Sequence, residues 1–145
     1  MPFSIRPLHR LPLAYWSGFI SLMTLLLLSS GPAYAEWVRI DKTDEGMTTY
    51  VDPDSKRHKG GLVKMWQLYD FKTMQTVAGD PYLSSKIQSE YDCTEEHSRR
   101  LAFTNFSGNM GSDKPVYTNS DEGRWIPVAP KSIGAALWEF ACRKK

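Results

Sequence analysis

Leu62-Val63-Lys64-Met65-Trp66-Gln67-Leu68-Tyr69-Asp70-Phe71 is the stretch that decides the fold. In extended backbone, successive side chains leave on opposite faces. Leu62, Trp66 and Leu68 then share one face with Lys64, while Val63, Met65, Tyr69 and Phe71 share the other with Gln67. Apolar residues on both faces predict a central strand, covered at least in part on each side. Trp66 is expected in the core.

The flanks read as shorter strands joined by turns. Upstream, Trp37 to Ile40 and Thr48 to Val51 alternate, with a polar turn over Thr43 to Gly46. Asp52-Pro53-Asp54-Ser55 ends the second strand, because proline fixes φ and the aspartates cap locally. Lys56-Arg57-His58-Lys59-Gly60-Gly61 reads as a basic loop with a flexible tip. Downstream, Thr73 to Pro81 reads as a loop, Leu83 to Cys93 as a strand, and Thr94-Glu95-Glu96-His97 as a polar turn. Ser98 to Phe106 returns as a strand, with Leu101, Phe103 and Asn105 on one side. Ser107 to Ser120, rich in Gly, Asn and Ser, reads as a loop, and Trp125 to Val128 as a last short strand.

The period then changes. After Pro130-Lys131-Ser132, residues Ile133, Ala136, Leu137, Phe140 and Ala141 fall on one helical stripe, with Pro130 in the first turn. Arg143, Lys144 and Lys145 follow at the C-terminal end, which the helix dipole favours. The fold class is α+β, an antiparallel sheet of about five to six strands with a C-terminal helix packed on one face.

At the other end, Met1 to Arg10 carries Arg6 and Arg10 and no acid, and the run Leu11 to Leu28 is apolar. Ser29-Ser30-Gly31-Pro32 and Ala33-Tyr34-Ala35 complete the order of charge, apolar core and A-x-A site that a signal peptidase reads. Cleavage is expected between Ala35 and Glu36, leaving one domain over residues 36–145. Pro12, Ser17, Gly18 and Ser21 weaken the rival reading as an uncleaved anchor. No lipid-accepting cysteine follows the signal, since Glu36 stands there. The expectation is an exported protein of the periplasm or cell envelope, with no stable membrane anchor after cleavage.

Arg6 and Arg10 belong to that segment, so the mature chain keeps 16 basic side chains against 16 acids. A neutral domain has no global field to draw nucleic acid or an anionic membrane, and both are excluded as leading partners. The two cysteines, Cys93 and Cys142, both lie in the mature part. In an oxidising compartment such a pair is expected to form one disulfide, pinning the helix to the strand that ends at Cys93. The alternative, a reactive thiol or metal ligand, lacks a C-x-x-C spacing or clustered histidines.

Lys56, Arg57, His58 and Lys59 would meet an acidic protein segment or sulfated glycan, or simply keep a hairpin tip solvated. Glu95, Glu96 and His97 are adjacent in sequence and rarely converge on one ion, so no metal or cofactor is expected. Trp37, Trp66, Trp125 and Trp138 would fill the core or line an apolar ligand groove or interaction patch, with Trp125, near Gly123 and Pro127, the most exposed and the one counted with the basic stretch as a partner-binding candidate. The Asn105-Phe106-Ser107 triplet is a chance glycosylation match in an apparently bacterial chain. No hydrolase, metalloprotease, phosphate-loop or dinucleotide motif occurs, and no enzyme is expected.

The ordered set of Trp37, Tyr50-Val51-Asp52, Val63 to Phe71, Ser84-Ser85-Lys86, Glu90-Tyr91-Asp92-Cys93, Arg99-Arg100-Leu101 and Trp125 to Ser132 before Cys142 resembles the surface-adhesin protein E-like family of Gram-negative bacteria. The resemblance covers nearly all of the mature chain. It implies an antiparallel sheet with a C-terminal helix and a disulfide, in an exported envelope protein. The named family member is an adhesin for host matrix and serum proteins. Most relatives are exported domains without an assigned activity. The functional expectation is therefore a non-enzymatic interaction domain that binds protein or glycan, with pairing to a second copy left open. The alternative is a periplasmic small-ligand carrier with a tryptophan-lined pocket between sheet and helix, near Trp66 and Phe140.

Overall fold

The computed structural model describes residues 35–144. The export segment was read from residues that lie outside this range, as does Lys145; Ala35 and Glu36 open the described chain and are exposed. The strands are β1 (Val38–Lys42), β2 (Met47–Val51), β3 (Arg57–Lys59), β4 (Leu62–Val77), β5 (Asp80–Asp92), β6 (His97–Phe106), β7 (Pro115–Asn119) and β8 (Ile126–Pro127). The helix α1 spans Ile133–Cys142.

All strand pairs are antiparallel, in the order β1-β2-β4-β5-β6-β7. The two remaining strands extend rows already present. β3 pairs with Leu62–Lys64 of β4 beyond the end of β2, and β8 pairs with His97 and Ser98 of β6 beyond β7. Eight strands thus fill six positions, more strands than the five or six expected. The segment between β2 and β3 is a 3-10 turn over Pro53–Ser55, capped by Asp52, whose carboxylate accepts from Asp54 N. The basic stretch is therefore not an open loop, because Arg57, His58 and Lys59 are fixed in the ladder.

The segment expected as a loop over Thr73 to Pro81 is also strand. Pairing lapses between Asp70 and Gln75 and resumes through Val77 opposite Asp80. The chain reverses at Ala78 and Gly79, both at positive φ (49° and 87°), the backbone that a two-residue primed turn needs. Likewise Ser107 to Ser120 contains a 3-10 turn over Asn109–Gly111 and the edge strand β7. Both segments escape the periodicity test because their side chains are mostly exposed and polar, with no buried face to impose alternation.

The core lies between one sheet face and α1. Val51, Val63, Met65 and Tyr91 of the sheet meet Leu137 and Ala141, each at most 3% exposed. Leu137 and Ala141 are one helical turn apart on the same stripe. Ser132, not Pro130, starts the helix; its hydroxyl accepts from Ala135 N at 3.1 Å. Cys93, just past β5, is disulfide-bonded to Cys142 in the last turn, with Cα atoms 5.6 Å apart. Trp138 Nε1 donates to Asp92 O at 2.9 Å beside it.

None of the four tryptophans among the described residues is fully buried. Trp37, Trp66 and Trp138 are half-buried and Trp125 is exposed. Trp66 alternates with the buried Met65 and Gln67 and therefore leaves the sheet on the face away from the helix. That corrects the expectation that Trp66 belongs to the main core. The two-faced reading of β4 holds otherwise, since Leu68, on Trp66's face, is fully buried.

Candidate functional site

The five residues singled out for partner binding part company at Lys56. Its Nζ donates to Phe140 O at 2.8 Å and Arg143 O at 3.1 Å, and sits 5.2 Å from the Phe140 ring centroid. These are end-of-helix carbonyls with no intrahelical partner, where positive charge is favoured. Lys56 is a clamp on α1 and not part of an open basic surface.

Arg57, His58 and Lys59 stay on the surface, and the sheet register gives them company. Arg57 is opposite Lys64, Lys64 opposite Glu90, and Glu90 opposite Arg99. These four residues form one cross-strand row on the face away from α1. Arg99 donates through Nε (2.9 Å) and Nη2 (2.7 Å) to Glu90 Oε1, and Lys64 Nζ lies 3.9 Å from Glu90 Oε2. Glu90 is 5% exposed, so its charge is enclosed and compensated. The third Arg99 nitrogen, Nη1, reaches Glu122 at 3.1 Å, and the guanidinium lies 4.8 Å from the Trp125 ring centroid. Arg57 folds its Nη1 onto Asp54 O and Lys56 O, at 2.8 and 2.9 Å.

Together Arg57, His58, Lys59, Lys64, Glu90 and Arg99 line a groove of about 460 Å³. It is lined by four full positive charges and one sequestered carboxylate, with Glu122 beside it on Arg99. A neutral mature chain thus carries a concentrated cationic patch. Sequence reading placed Lys64 on the correct face but missed Glu90 and Arg99. The signal was available in the short turn after β5, since Asp92 pairs with His97 and two steps outward Glu90 meets Arg99.

The helix side has a second groove, of about 440 Å³. Gln67, Tyr69, Ser89 and Tyr91 line its sheet side, with Arg100, Arg124, Gly134 and Leu137 around them. The Tyr91 hydroxyl donates to Gln67 Oε1, and Gln67 Nε2 donates to the Tyr69 hydroxyl at 3.4 Å. Burial pushes the Tyr91 phenol well above the ordinary tyrosine range, helped by the neighbouring Tyr69 and opposed by a hydrogen bond with Ser89. Burial also raises Tyr69, against the pull of the Gln67 hydrogen bond. No tryptophan lines this groove. Trp66 and α1 lie on opposite faces, so the tryptophan pocket of the carrier reading is not formed by Trp66 and Phe140.

The remaining candidates have local roles. Glu95 and Glu96 are exposed in the turn after β5, where Asp92 Oδ1 accepts from Thr94 N and Glu95 N. Cys93 and Cys142 are consumed in the disulfide, so neither is a thiol.

A family model described as "Surface-adhesin protein E" matches residues 37–143. No curated protein matches the chain in sequence. Among solved structures, crystal form II of Haemophilus influenzae protein E is similar at a TM-score of 0.61 and 11% identity, covering 76% of this chain and 89% of that one. Its selenomethionine form gives a TM-score of 0.59 at 11% identity, covering 76% and 88%. Protein E from non-typeable Haemophilus influenzae gives 0.57 at 10% identity, covering 76% and 77%. At such identity these neighbours show a shared fold.

Proposed function

From the premise that the chain belongs to the surface-adhesin protein E family, we propose that it is an exported, non-enzymatic interaction domain of the cell envelope. Its signal is residues 1–35, and its working domain is residues 36–145. The binding surface is the helix-free face around the row Arg57–Lys64–Glu90–Arg99, and the partner is a protein or glycan that presents acidic groups. The single observation behind this reading is the convergence of Arg57, Lys59, Lys64 and Arg99 on one groove, where Glu90 is enclosed and Glu122 engages only Arg99. A solvated hairpin tip does not require cations from three different strands to meet. Guanidinium and ammonium groups held in this way suit carboxylate, sulfate or phosphate, with arginine able to engage two oxygens at once.

The test has two arms. Intact cells are treated with a membrane-impermeant amine reagent, and N-terminal sequencing follows on the recovered protein. Labelled Lys59 and Lys64 in a chain that starts at Glu36 are expected. A chain that keeps Met1 and stays inside the cytoplasm refutes export. In the second arm, Arg57→Gln/Lys64→Gln protein is compared with the unaltered protein for retention on an envelope or matrix preparation. Equal retention refutes the assignment of the surface.

A further inference from the structure

Resting on that reading of the basic row as the binding surface, we infer that the partner is a linear sulfated polysaccharide. The row crosses the strands β3, β4, β5 and β6; at this level β4 and β5 are paired on both sides, while β3 pairs only with β4 and has an open outer edge. A peptide added as a strand at the open edge of β3 would lie beside Arg57 and Lys59 but would not cover Lys64, Glu90 or Arg99, whose strands β4 and β5 are already paired on both sides. Recognition along the whole row therefore runs through side chains. Neighbouring strands lie about 4.8 Å apart, so Arg57 and Arg99 span three intervals, about 14 Å, with Lys64 between them. Lys59, on the same face as Lys64 and one residue pair further along β3, broadens the array.

A straight array of cations fits a straight array of anions. Arginine clusters also read acidic peptide motifs; the feature that favours a glycan here is the surface beside the cations. That surface is aromatic. Trp66 follows Lys64 on the same face of β4, half-buried, with Gln88 opposite it on β5. Trp125 stands at the other end, 36% exposed and stacked on Arg99. Amphipathic rings of this kind offer an apolar plane for sugar rings, and the Gln88 amide both donates to and accepts from hydroxyls. Glu90 fixes Arg99 and turns it along Trp125. The line of cations is therefore flanked by flat apolar surface for pyranose rings, Trp66 in the neighbouring cross-strand row and Trp125 at the Arg99 end.

The test titrates the exported protein, in its natural form, with a defined heparin oligosaccharide. Hyaluronan, polyglutamate and single-stranded DNA serve as separate probes. Heparin is expected to bind at least about tenfold more tightly than each of the others at matched charge. Its log affinity should fall with log salt at a slope of about −2, as counterion release predicts for three neutralised charges on a flexible polyanion. Arg57→Gln and Lys64→Gln should each weaken heparin about fivefold or more, the loss of one charge-assisted contact. Trp66→Leu should weaken it with the salt slope unchanged, which a purely electrostatic patch would not show. Neither charge substitution strips Glu90 of Arg99, so both variants are expected to melt like the parent.

The outcomes separate the two claims. Polyglutamate or DNA binding as tightly as heparin, with Arg57→Gln/Lys64→Gln still impairing it, overturns the glycan inference and leaves the surface standing. Heparin binding untouched by Arg57→Gln/Lys64→Gln overturns the surface itself. No heparin binding at low salt overturns the inference outright.

Discussion

Replacing both cysteines, Cys93→Ala with Cys142→Ala, tests how the domain holds its helix. The bond joins residues 49 apart in sequence. Closing a loop of about 50 residues removes roughly 14 cal/mol/K from the unfolded chain, or about 4 kcal/mol at 25 °C. Small domains have about 5–15 kcal/mol in total, so the loss is a large share. The folded state keeps its other ties, because Leu137 and Ala141 remain buried, Trp138 still donates to Asp92 O, and Lys56 still caps the last turn. The effect should therefore lie mainly in the unfolded ensemble. Urea unfolding followed by tryptophan fluorescence should show stability lower by about 3–4 kcal/mol and a larger slope against urea, since an uncrosslinked chain exposes more surface. The melting temperature should fall by about 13–17 °C. A loss under about 1 kcal/mol, or a slope that does not rise, would refute the entropic account. The first result would mean that packing alone secures α1, and the second that the bond acts in the folded state.

Three further outcomes follow from individual contacts. Lys56→Met removes the ammonium from Phe140 O and Arg143 O and should cost about 1 kcal/mol, with faster amide exchange confined to the last turn of α1; uniform exchange rates would count against the clamp. Arg99→Ala leaves the Glu90 carboxylate enclosed with only Lys64 at 3.9 Å. It should cost about 2–3 kcal/mol, less than a fully buried pair because Arg99 is partly exposed and Lys64 remains. A Glu90→Gln/Arg99→Ala double variant should recover at least half of this in urea titrations, and no recovery would contradict it. For Tyr91, the folded pKa lies above the unfolded value, so its neutral form is the one that folding favours. Its contribution is complete below about pH 10 and is lost as pH rises past the unfolded tyrosine pKa, at up to about 1.4 kcal/mol per pH unit. Tyr91→Phe should flatten that decline between pH 9 and 11, and an unchanged slope would dismiss Tyr91 as its source.

Legibility in the sequence followed burial. The alternation of Val63, Met65 and Gln67 against Lys64 and Trp66 was readable because one side of β4 must avoid water, and the α1 stripe was readable for the same reason. The ends of the hairpin were not, since the ladder lapses after Asp70, resumes only at Gln75 to Val77, and the stretch from Thr73 to Val77 exposes most of its side chains. Trp66 was misplaced because size and apolarity predict burial without saying on which side. The basic loop was found by charge alone, and charge did not reveal that Lys56 turns away to α1 while Arg57 enters a ladder. Lys64 and Arg99 are 35 residues apart in numbering, and only pairing through β5 makes them neighbours. Local patterns carry no register between strands, so the row could be derived only after the turn between Asp92 and His97 was known.

The row also bears on why a carboxylate sits enclosed in the sheet. Buried ion pairs are poor sources of stability, since desolvation offsets most of the attraction, and apolar replacements of similar volume often fold as well or better. Glu90 is 5% exposed and spends Oε1 entirely on Arg99. If stability were its only role, a leucine facing a leucine would serve. What the pair provides instead is orientation. Two bonds to Glu90 and one to Glu122 hold a flexible guanidinium flat along Trp125. A surface arginine without these anchors would lose rotamer entropy on meeting a ligand; here that loss is taken at folding. The helix-side face uses its residues to build the molecule, with Val63, Met65 and Tyr91 sealed beneath Leu137 and Ala141. The opposite face places a costly, pre-set charge where no helix covers it. That division of labour between the two faces is the physical argument for locating binding on the second.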